Sequence, residues 1–283
     1  MSTNKILVTG GTGNIGHALV KMLQADGAAI RVLSRDPARA ASTLGAGIEV
    51  AKGDLEQPAS LEAALQGCAR AFFLGHAGPE LAKMGADFAA VAKRAGVKHI
   101  VAISSGTIEM TPKVTIGNWH LAMEEAIAAT GVATTFLRPD NFASNALRWA
   151  GTIKGKAMVF SSHVDSQSVP IDPHDIAAVA RVALTKPGHA GKIHLLSGPT
   201  VMTQREQVAA IAQEIGKPVN VVQVPVEGAR AGMIQGGVPA IMADAILELF
   251  GHPPRPTKTV QDVTGMAPRA FATWVRENRA AFA

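Results

Sequence analysis

The sequence predicts an α/β fold in which helices cover both faces of a doubly wound, mostly parallel sheet. In the first half of the chain, short and nearly continuous apolar runs alternate with helical segments, and several of those segments end at glycine. Such runs are typical of parallel strands that are buried on both faces. Glycine closes a helix at little cost because it adopts the left-handed conformation freely. Repeated βα units of this kind indicate an open sheet.

The elements follow in order along the chain. Strands are predicted at Lys5–Thr9, Ile30–Ser34, Ile48–Lys52, Arg70–Gly75, His99–Ser104 and Thr134–Arg138. The helices between them are predicted at Gly16–Asp26, Leu61–Gln66, Glu80–Ala95 and Trp119–Ala129. After Asn141 the pattern changes to a helix at Phe142–Trp149, short strands at Ala157–Phe160 and Ser168–Ile171, and a helix that Asp172 caps. A strand at Lys192–Ser197 is a candidate to return to the main sheet, and further elements are predicted at Gln204–Ile215, Val219–Val224, Pro239–Phe250 and Pro268–Phe282.

This change of pattern suggests two regions. Residues 1–145 form a predicted main domain, and residues 146–283 form a smaller, partly discontinuous α/β region. The boundary is soft by about ten residues.

Composition narrows the class of protein. Hydrophobic residues make up 47% of the 283 residues and the formal net charge is +5, with lysine and arginine scattered along the chain. We therefore expect no nucleic-acid partner. No run reaches the roughly 18 apolar residues of a membrane helix, and no leader is expected because a strand-like run begins at Ile6. The single cysteine, Cys68, cannot form an internal disulfide, so a cytoplasmic location is expected.

The strongest local signal is a glycine-rich turn after the first strand. Gly10, Gly13 and Gly16 recur at three-residue spacing, with Thr12, Asn14 and Ile15 between them, and an amphipathic helix follows. Glycine permits the tight turn and the close approach of backbone N–H groups to a pyrophosphate. The helix N-terminus then faces the negative charge. The turn predicts a dinucleotide site on a Rossmann-type domain formed by residues 1–145. Residues 146–283 are then expected to bind the substrate.

The end of the second strand indicates which dinucleotide binds. NAD sites usually carry a carboxylate here for the ribose 2′-hydroxyl. This strand ends instead in Ser34 and Arg35, which suit the 2′-phosphate of NADP(H). Asp36 lies one position too late and is predicted to cap the next helix. An ordinary exposed arginine is the alternative for Arg35.

Loops at the carboxyl ends of other strands should line the same crevice. We expect Asp54 and Leu55 to contact the adenine, and Ser104 to lie near the nicotinamide. Leu74, Gly75 and His76 are expected near the adjoining ribose, although His76 is explained equally well as an ordinary loop histidine.

These motifs resemble the NmrA-like group of atypical short-chain dehydrogenase/reductases, which includes NAD(P)H:quinone oxidoreductases, triphenylmethane reductase and redox-sensing regulators. The resemblance covers nearly the whole chain. It rests on the glycine turn, Arg35, Gly53-Asp54, Gly96-Val-Lys-His99 and Leu137-Arg-Pro-Asp-Asn-Phe142, and on the later segments Leu196-Ser-Gly-Pro-Thr200 and Ile215-Gly-Lys-Pro-Val219.

The chain departs from the wider superfamily at the Tyr-x-x-x-Lys pair. Aligned on Leu121-Ala-Met-Glu124, the lysine position is His120 and the tyrosine position is Ile116, and the sequence contains no tyrosine. His120 could bind the nicotinamide ribose and, when protonated, supply charge or a proton. A surface histidine is the alternative. With Glu124 it makes two metal-type ligands without a third, so no metal is expected.

The resemblance also implies roles after the sixth strand. Pro139, Asn141 and Phe142 are expected to line the nicotinamide site. Phe142, Trp149, Met233 and Met242 are candidates for an apolar lid, with ordinary core packing as the alternative.

Together these features predict an NADPH-dependent oxidoreductase that transfers hydride to a quinone, dye or conjugated carbonyl without a catalytic tyrosine. The candidate catalytic residues are His120 and Ser104, acting as donors. The expected partner is a flat aromatic or conjugated small molecule, and the protein is expected to be a monomer or homodimer. A non-catalytic NADP(H) sensor is the alternative.

Overall fold

Seven parallel strands form the main sheet of the structure, a computed structural model that describes residues 5–283. Their order in the sheet is β3-β2-β1-β4-β5-β6-β9. All eleven strands, numbered along the chain, are β1 Lys5–Val8, β2 Ile30–Ser34, β3 Glu49–Lys52, β4 Cys68–Phe73, β5 His99–Ile103, β6 Ala133–Pro139, β7 Met158–Ser161, β8 Gln167–Ser168, β9 Ile193–Leu196, β10 Met202–Thr203 and β11 Asn220–Gln223.

The order of the strands reverses at β1, which lies between β2 and β4. Ligands of open α/β sheets bind at the carboxyl ends of the strands beside such a switch point. The glycine turn follows β1 directly, so the predicted site and the topology coincide. The Rossmann-type fold class predicted from the sequence is confirmed.

Twelve α-helices connect the strands of the described chain. They are α1 Asn14–Ala25, α2 Pro37–Leu44, α3 Leu61–Leu65, α4 Leu81–Arg94, α5 Thr115–Ala129, α6 Ala150–Lys156, α7 Pro173–Thr185, α8 Gln204–Ile215, α9 Val226–Gln235, α10 Ala240–Leu247, α11 Thr259–Thr264 and α12 Phe271–Glu277. No helix within residues 5–283 is long and apolar enough to span a bilayer.

Buried side chains of the helices hold the main sheet. On one face, Leu61, Phe88 and Met123 of α3, α4 and α5 join a core cluster with Phe73 and Ile100 of β4 and β5. Helix α1 packs against α7. The apolar residues of each helix lie on one side, and burying that side against the sheet removes it from water.

The chain forms two compact units that interleave along the sequence. The first contains residues up to Ser105, Gly117–Pro139 and Pro173–Leu195, and the second contains Gly106–Ile116, Asp140–Asp172 and Leu196–Ala283. The sequence suggested a single boundary after residue 145. The α7–β9 segment lies in the first unit because α7 packs on α1 and β9 adjoins β6. The assignment of residues 146–283 to substrate binding stays a prediction.

Within the second unit, a core cluster contains Trp149, Phe271 and Trp274. The two short strands expected after Asn141 find distant partners: β7 pairs in parallel with β11, and β8 pairs antiparallel with β10. Ile171, expected at the end of the second strand, makes an isolated bridge with Phe142 instead.

Gly16 is required by a close approach of two backbone segments. A Cβ atom added at Gly16 would lie 2.2 Å from the Gly10 carbonyl oxygen. We therefore expect Gly16→Ala to lower the free energy of unfolding by about 1–3 kcal/mol, because backbone cannot yield as a flexible side chain can. Urea unfolding of the two proteins measures this difference.

The matched control is Gly151→Ala in α6, where an added Cβ would meet no atom within 4 Å. That change should stabilise the protein slightly, by up to about 1 kcal/mol, because alanine favours helix over glycine. Equal effects of the two substitutions would contradict the assigned contact.

Candidate cofactor site

The glycine turn brings the first turn of α1 against the end of β1. Gly10 has φ of 65° and its carbonyl oxygen accepts a hydrogen bond from the Gly13 N–H at 3.0 Å. This oxygen also lies where a side chain at position 16 would be, so Gly16 lets the helix approach. The N-terminus of α1 is thereby held at the carboxyl edge of the sheet.

That N-terminus carries no capping side chain. Its N-cap is Gly13, and the first turn contains no acidic residue. Gly13 has an ordinary φ of −86°, and an added Cβ would lie 3.4 Å from its nearest protein atom, Gly10 O. Since neither backbone strain nor a clash within the protein requires glycine here, the position fits a ligand that approaches the backbone closely. An anion such as a pyrophosphate suits this cradle.

A cavity of about 410 Å³ opens beside the turn. It lies within the first unit, and its basic side chains come from both α1 and α7. Its lining consists of Thr12, Gly13, Asn14, His17, Ala18, Lys21, Met22 and His174. Thr12 and Asn14 are exposed, whereas Ile15 is buried in the core and offers the site only its backbone.

The three polar residues at the end of β2, Ser34, Arg35 and Asp36, have different surroundings. The Ser34 hydroxyl donates to the Asp36 carbonyl oxygen at 2.9 Å and accepts from the Asp36 N–H at 3.1 Å. Asp36 Oδ1 accepts a hydrogen bond from the Arg39 N–H at 3.0 Å. The capping role predicted for Asp36 is confirmed, because it is the N-cap of α2. Arg35 is exposed and makes no hydrogen bond or ion pair with any residue in 5–283. Its guanidinium group is available to an anionic ligand.

The loops after β3 and β4 have mixed surroundings. Asp54 Oδ1 accepts the Glu56 N–H at 3.1 Å, and the Leu55 side chain packs against the core cluster of the first unit. The Leu74 N–H donates to Thr9 Oγ1 at 2.8 Å, which ties the end of β4 to the end of β1. The His76 imidazole is exposed and lies 3.6 Å from Glu56.

Gly75 also lacks room for a side chain, since an added Cβ would lie 2.8 Å from Leu81 Cδ1. Its glycine therefore has a packing explanation that needs no ligand.

Ser104 directly follows β5 and is 2% exposed. Its hydroxyl donates to Glu124 Oε1 at 2.5 Å, and the Arg138 guanidinium binds both oxygens of the same carboxylate, at 2.9 and 2.6 Å. The single proton of Ser104 is thus directed at Glu124. The donor role predicted for Ser104 stays a prediction, and in this arrangement its hydroxyl proton points at Glu124 and not at an acceptor.

His120 lies one turn before Glu124 on α5 and is 9% exposed. Its burial excludes the surface-histidine alternative. Burial lowers the pKa of the imidazole from 6.5 to about 4, so the ring is neutral at pH 7. The protonated role considered from the sequence stays a prediction, and burial opposes it at neutral pH. Its buried Nδ1 has no hydrogen-bond partner within the described chain, which leaves it for a ligand.

The structure brings no metal site to His120 and Glu124. Within residues 5–283, no group of three or more histidine, cysteine, aspartate or glutamate side chains is arranged to hold a metal ion. Glu124 is instead the partner of Arg138, as the salt bridge of 2.6 Å shows.

The residues after β6 divide between the units. Pro139 ends β6 in the first unit, whereas Asn141 and Phe142 belong to the second. There, Asn141 Oδ1 accepts from Asn145 Nδ2 at 2.8 Å. Of the proposed lid, Trp149 lies in the core of the second unit, and Met233 and Met242 are half-buried.

Sequence reasoning missed Arg138 and Asp140. A charged residue inside the apolar β6 signals a buried partner, because an unpaired buried charge is costly. Asp140 Oδ1 accepts the Asn141 and Val169 N–H groups at 2.6 and 3.2 Å. Burial raises the pKa of its carboxyl from 3.8, although these two bonds and Arg255 oppose the shift.

Comparison with known proteins finds relatives along the whole chain. The model of the NmrA-like family matches residues 2–253. The NAD(P)H azoreductase of Xenophilus azovorans is 36% identical over 282 residues, which cover 98% of this chain and 99% of that protein. The (4-alkanoyl-5-oxo-2,5-dihydrofuran-3-yl)methyl phosphate reductase of Streptomyces griseus is 35% identical over 283 residues, with the same coverage.

Among solved structures, an NADPH-dependent quinone oxidoreductase from Escherichia coli, complexed with NADPH, is similar over nearly its full length. The TM-score is 0.83 at 25% identity, and the match covers 96% of this chain and 99% of the other.

The depressed pKa of His120 predicts a loss of stability in acid. The unfolded imidazole, with a pKa near 6.5, takes up a proton between pH 6.5 and 4, whereas the folded one does not. The neutral His120 ring therefore contributes about 3 kcal/mol to the free energy of unfolding above pH 6.5, and this contribution is lost as the pH falls towards 4. Urea unfolding of the parent and of His120→Gln at pH 7 and pH 4.5 should show a smaller loss in the variant. An equal loss in both would contradict the buried neutral state.

Proposed function

The chain belongs to the NmrA-like family, and on that premise we propose that it is an NADPH-dependent reductase of quinones, dyes or conjugated carbonyls. Its general class is that of NAD(P)H-dependent oxidoreductases of the atypical short-chain dehydrogenase/reductase type. The bound dinucleotide supplies the hydride, and the protein's residues bind, orient and shield it.

The observation that carries the proposal is the open N-terminus of α1. Gly13 is a glycine that no contact within the protein explains, and it exposes the backbone N–H groups of the helix to an anion. The glycine turn, with Thr12, Asn14 and the backbone of Ile15, would hold the pyrophosphate. Basic residues in the adjacent cavity favour the same charge.

Arg35 supports NADPH over NADH. Its exposed guanidinium has no partner in residues 5–283, whereas Asp36 is committed to capping α2. A guanidinium group binds phosphate with several directed hydrogen bonds. Ser34 would add one more by turning its hydroxyl from the Asp36 carbonyl oxygen to the phosphate. We assign Asp54 and Leu55 to the adenine side, Leu74, Gly75 and His76 to the adjoining ribose, and Pro139, Asn141 and Phe142 to the nicotinamide side.

His120 is the candidate partner of the nicotinamide ribose. A neutral imidazole with an unbonded, buried Nδ1 can accept from or donate to a ribose hydroxyl. This bond would also satisfy an atom that is otherwise costly to bury.

The handling of protons supports electron-poor acceptors. The sequence contains no tyrosine, His120 is neutral, and the Ser104 proton faces Glu124. A quinone, an azo dye or a conjugated carbonyl spreads the negative charge that it gains, so water can protonate it after hydride transfer. Relatives named for azo compounds and quinones support this class. We propose further that the protein acts in the cytoplasm as a monomer or homodimer.

The decisive experiment follows the absorbance of NADPH with quinones, azo dyes and enones, with NADH in parallel. We expect oxidation of NADPH by at least one acceptor, and faster than oxidation of NADH. Tight binding of NADPH without turnover by any acceptor would favour a redox sensor instead.

Arg35→Ala tests the assignment of the 2′-phosphate. We expect the Kd for NADPH to rise by about 10- to 100-fold, from the loss of charge-assisted hydrogen bonds, while the Kd for NADH changes by less than about twofold. Fluorescence titration measures both. Arg94→Ala is the control. Arg94 lies at the C-terminal end of α4 and pairs with Glu62 of α3, so its loss should leave both Kd values unchanged. Equal losses for the two nucleotides would remove Arg35 from the site.

A further inference from the structure

We infer that Glu124 and Arg138 are positioning residues for Ser104. Together they take the only hydroxyl proton of this serine, so Ser104 offers lone pairs alone to a donor on the nicotinamide half of the bound cofactor. The inference rests on the proposed function and adds a role for two residues that sequence reasoning did not connect.

Three elements of the first unit build this cluster. Ser104 follows β5, Glu124 lies on α5, and Arg138 lies in β6. The Ser104 N–H donates to the Leu137 carbonyl oxygen at 2.7 Å, which holds its backbone in register beside Arg138. The serine therefore has little freedom in either its backbone or its side chain.

The direction of the short bond follows from the charges. The Arg138 guanidinium binds Glu124 through two bonds, to Oε1 at 2.9 Å and to Oε2 at 2.6 Å, so the carboxylate acts as an acceptor. Ser104 Oγ lies 2.5 Å from Oε1 and donates its proton there. Relative exposures of 2%, 5% and 8% for Ser104, Glu124 and Arg138 keep out the water that would compete.

Stability is a weak explanation for this ion pair. Two charges lose their hydration on burial, and an apolar pair of similar volume often serves the fold equally well. The pair orients the hydroxyl proton of Ser104, which apolar residues cannot do. Control of Ser104 is therefore a role that the pair can have beyond stability.

The remaining lone pairs of Ser104 select what binds there. A quinone oxygen or an azo nitrogen has no proton to give, so Ser104 cannot hold or protonate such a group. The carboxamide N–H and ribose O–H groups of the cofactor are donors and do fit. His120 lies one turn away on the same face of α5, about 6 Å along the helix axis, and can hold the same half of the cofactor.

A double-mutant cycle on NADPH affinity tests this coupling. The cycle combines Ser104→Ala with the pair Glu124→Leu and Arg138→Leu, which removes both charges and leaves neither buried alone. We expect Ser104→Ala to raise the Kd for NADPH about tenfold in the parent and less than about twofold in the Leu/Leu background. Fluorescence titration gives the Kd, and thermal melting verifies that each variant is folded.

Turnover at saturating NADPH provides the second readout and needs only Ser104→Ala. We expect kcat to fall by about threefold to tenfold, because the serine orients the nicotinamide half of the cofactor but gives no proton to the acceptor. A merely structural role would instead lower the melting temperature and leave the Kd unchanged. Thr134→Val is the matched control. This buried hydroxyl lies on β6, the strand of Arg138, and donates to the Val132 carbonyl oxygen, so its loss should leave the Kd unchanged.

The possible outcomes distinguish failure of the positioning role from failure of the proposed NADPH-dependent function. An equal loss of affinity in both backgrounds, or an unchanged Kd for Ser104→Ala, would overturn the positioning role alone. A fall in kcat of about a hundredfold or more would make Ser104 a donor to the acceptor and overturn it as well. Failure of the parent protein to bind NADPH would overturn the proposed function together with this inference.

Discussion

The close approach of α1 to the end of β1 is the constraint on which the cofactor-binding unit depends. A side chain at position 16 would overlap the Gly10 carbonyl oxygen, at 2.2 Å from its Cβ. With glycine there, the helix starts directly at the carboxyl edge of the sheet, where β1 separates β2 from β4. The positive end of the helix dipole is therefore presented at the switch point of the fold. Helix α7, which leads into β9, packs on α1, so the placement of α7 also depends on the position of α1.

Burial of polar groups sets the chemistry at the other end of the site. The Glu124–Arg138 pair directs the proton of Ser104 inward, and the apolar surroundings of His120 keep its imidazole neutral. Both effects follow from a low dielectric environment, which strengthens a satisfied bond and penalises an uncompensated charge. The same burial therefore fixes both the direction of the Ser104 proton and the charge of His120.

Much of the fold could be predicted because its signals are local. The bounds of β2 and α8 agree with the sequence prediction. A short, mostly apolar run marks β2, and a capping Thr203–Glu206 pair marks the start of α8. Helix α9 was not predicted, because it has two glycines and no buried residue, and so lacks apolar periodicity. Helix α5 begins at Thr115, four positions before the predicted Trp119. Its Thr115 N–H and hydroxyl donate to Glu248, 133 residues away, and no local pattern reveals such a partner.

The sequence alone determined the sheet, the glycine turn and the arginine at the end of β2, because apolar spacing and glycine steric freedom act over a few neighbouring residues. The tertiary structure alone decided which side chains meet and in which charge state. Glu124 contacts Ser104 and Arg138 across separations of 20 and 14 residues, and this requires the register of β5 against β6 and the packing of α5. The protonation state of His120 likewise depends on how completely its surroundings exclude water. A sequence pattern indicates which residues tend to be buried. The exposed fraction of each side chain, and with it the pKa, is set only when the chain packs.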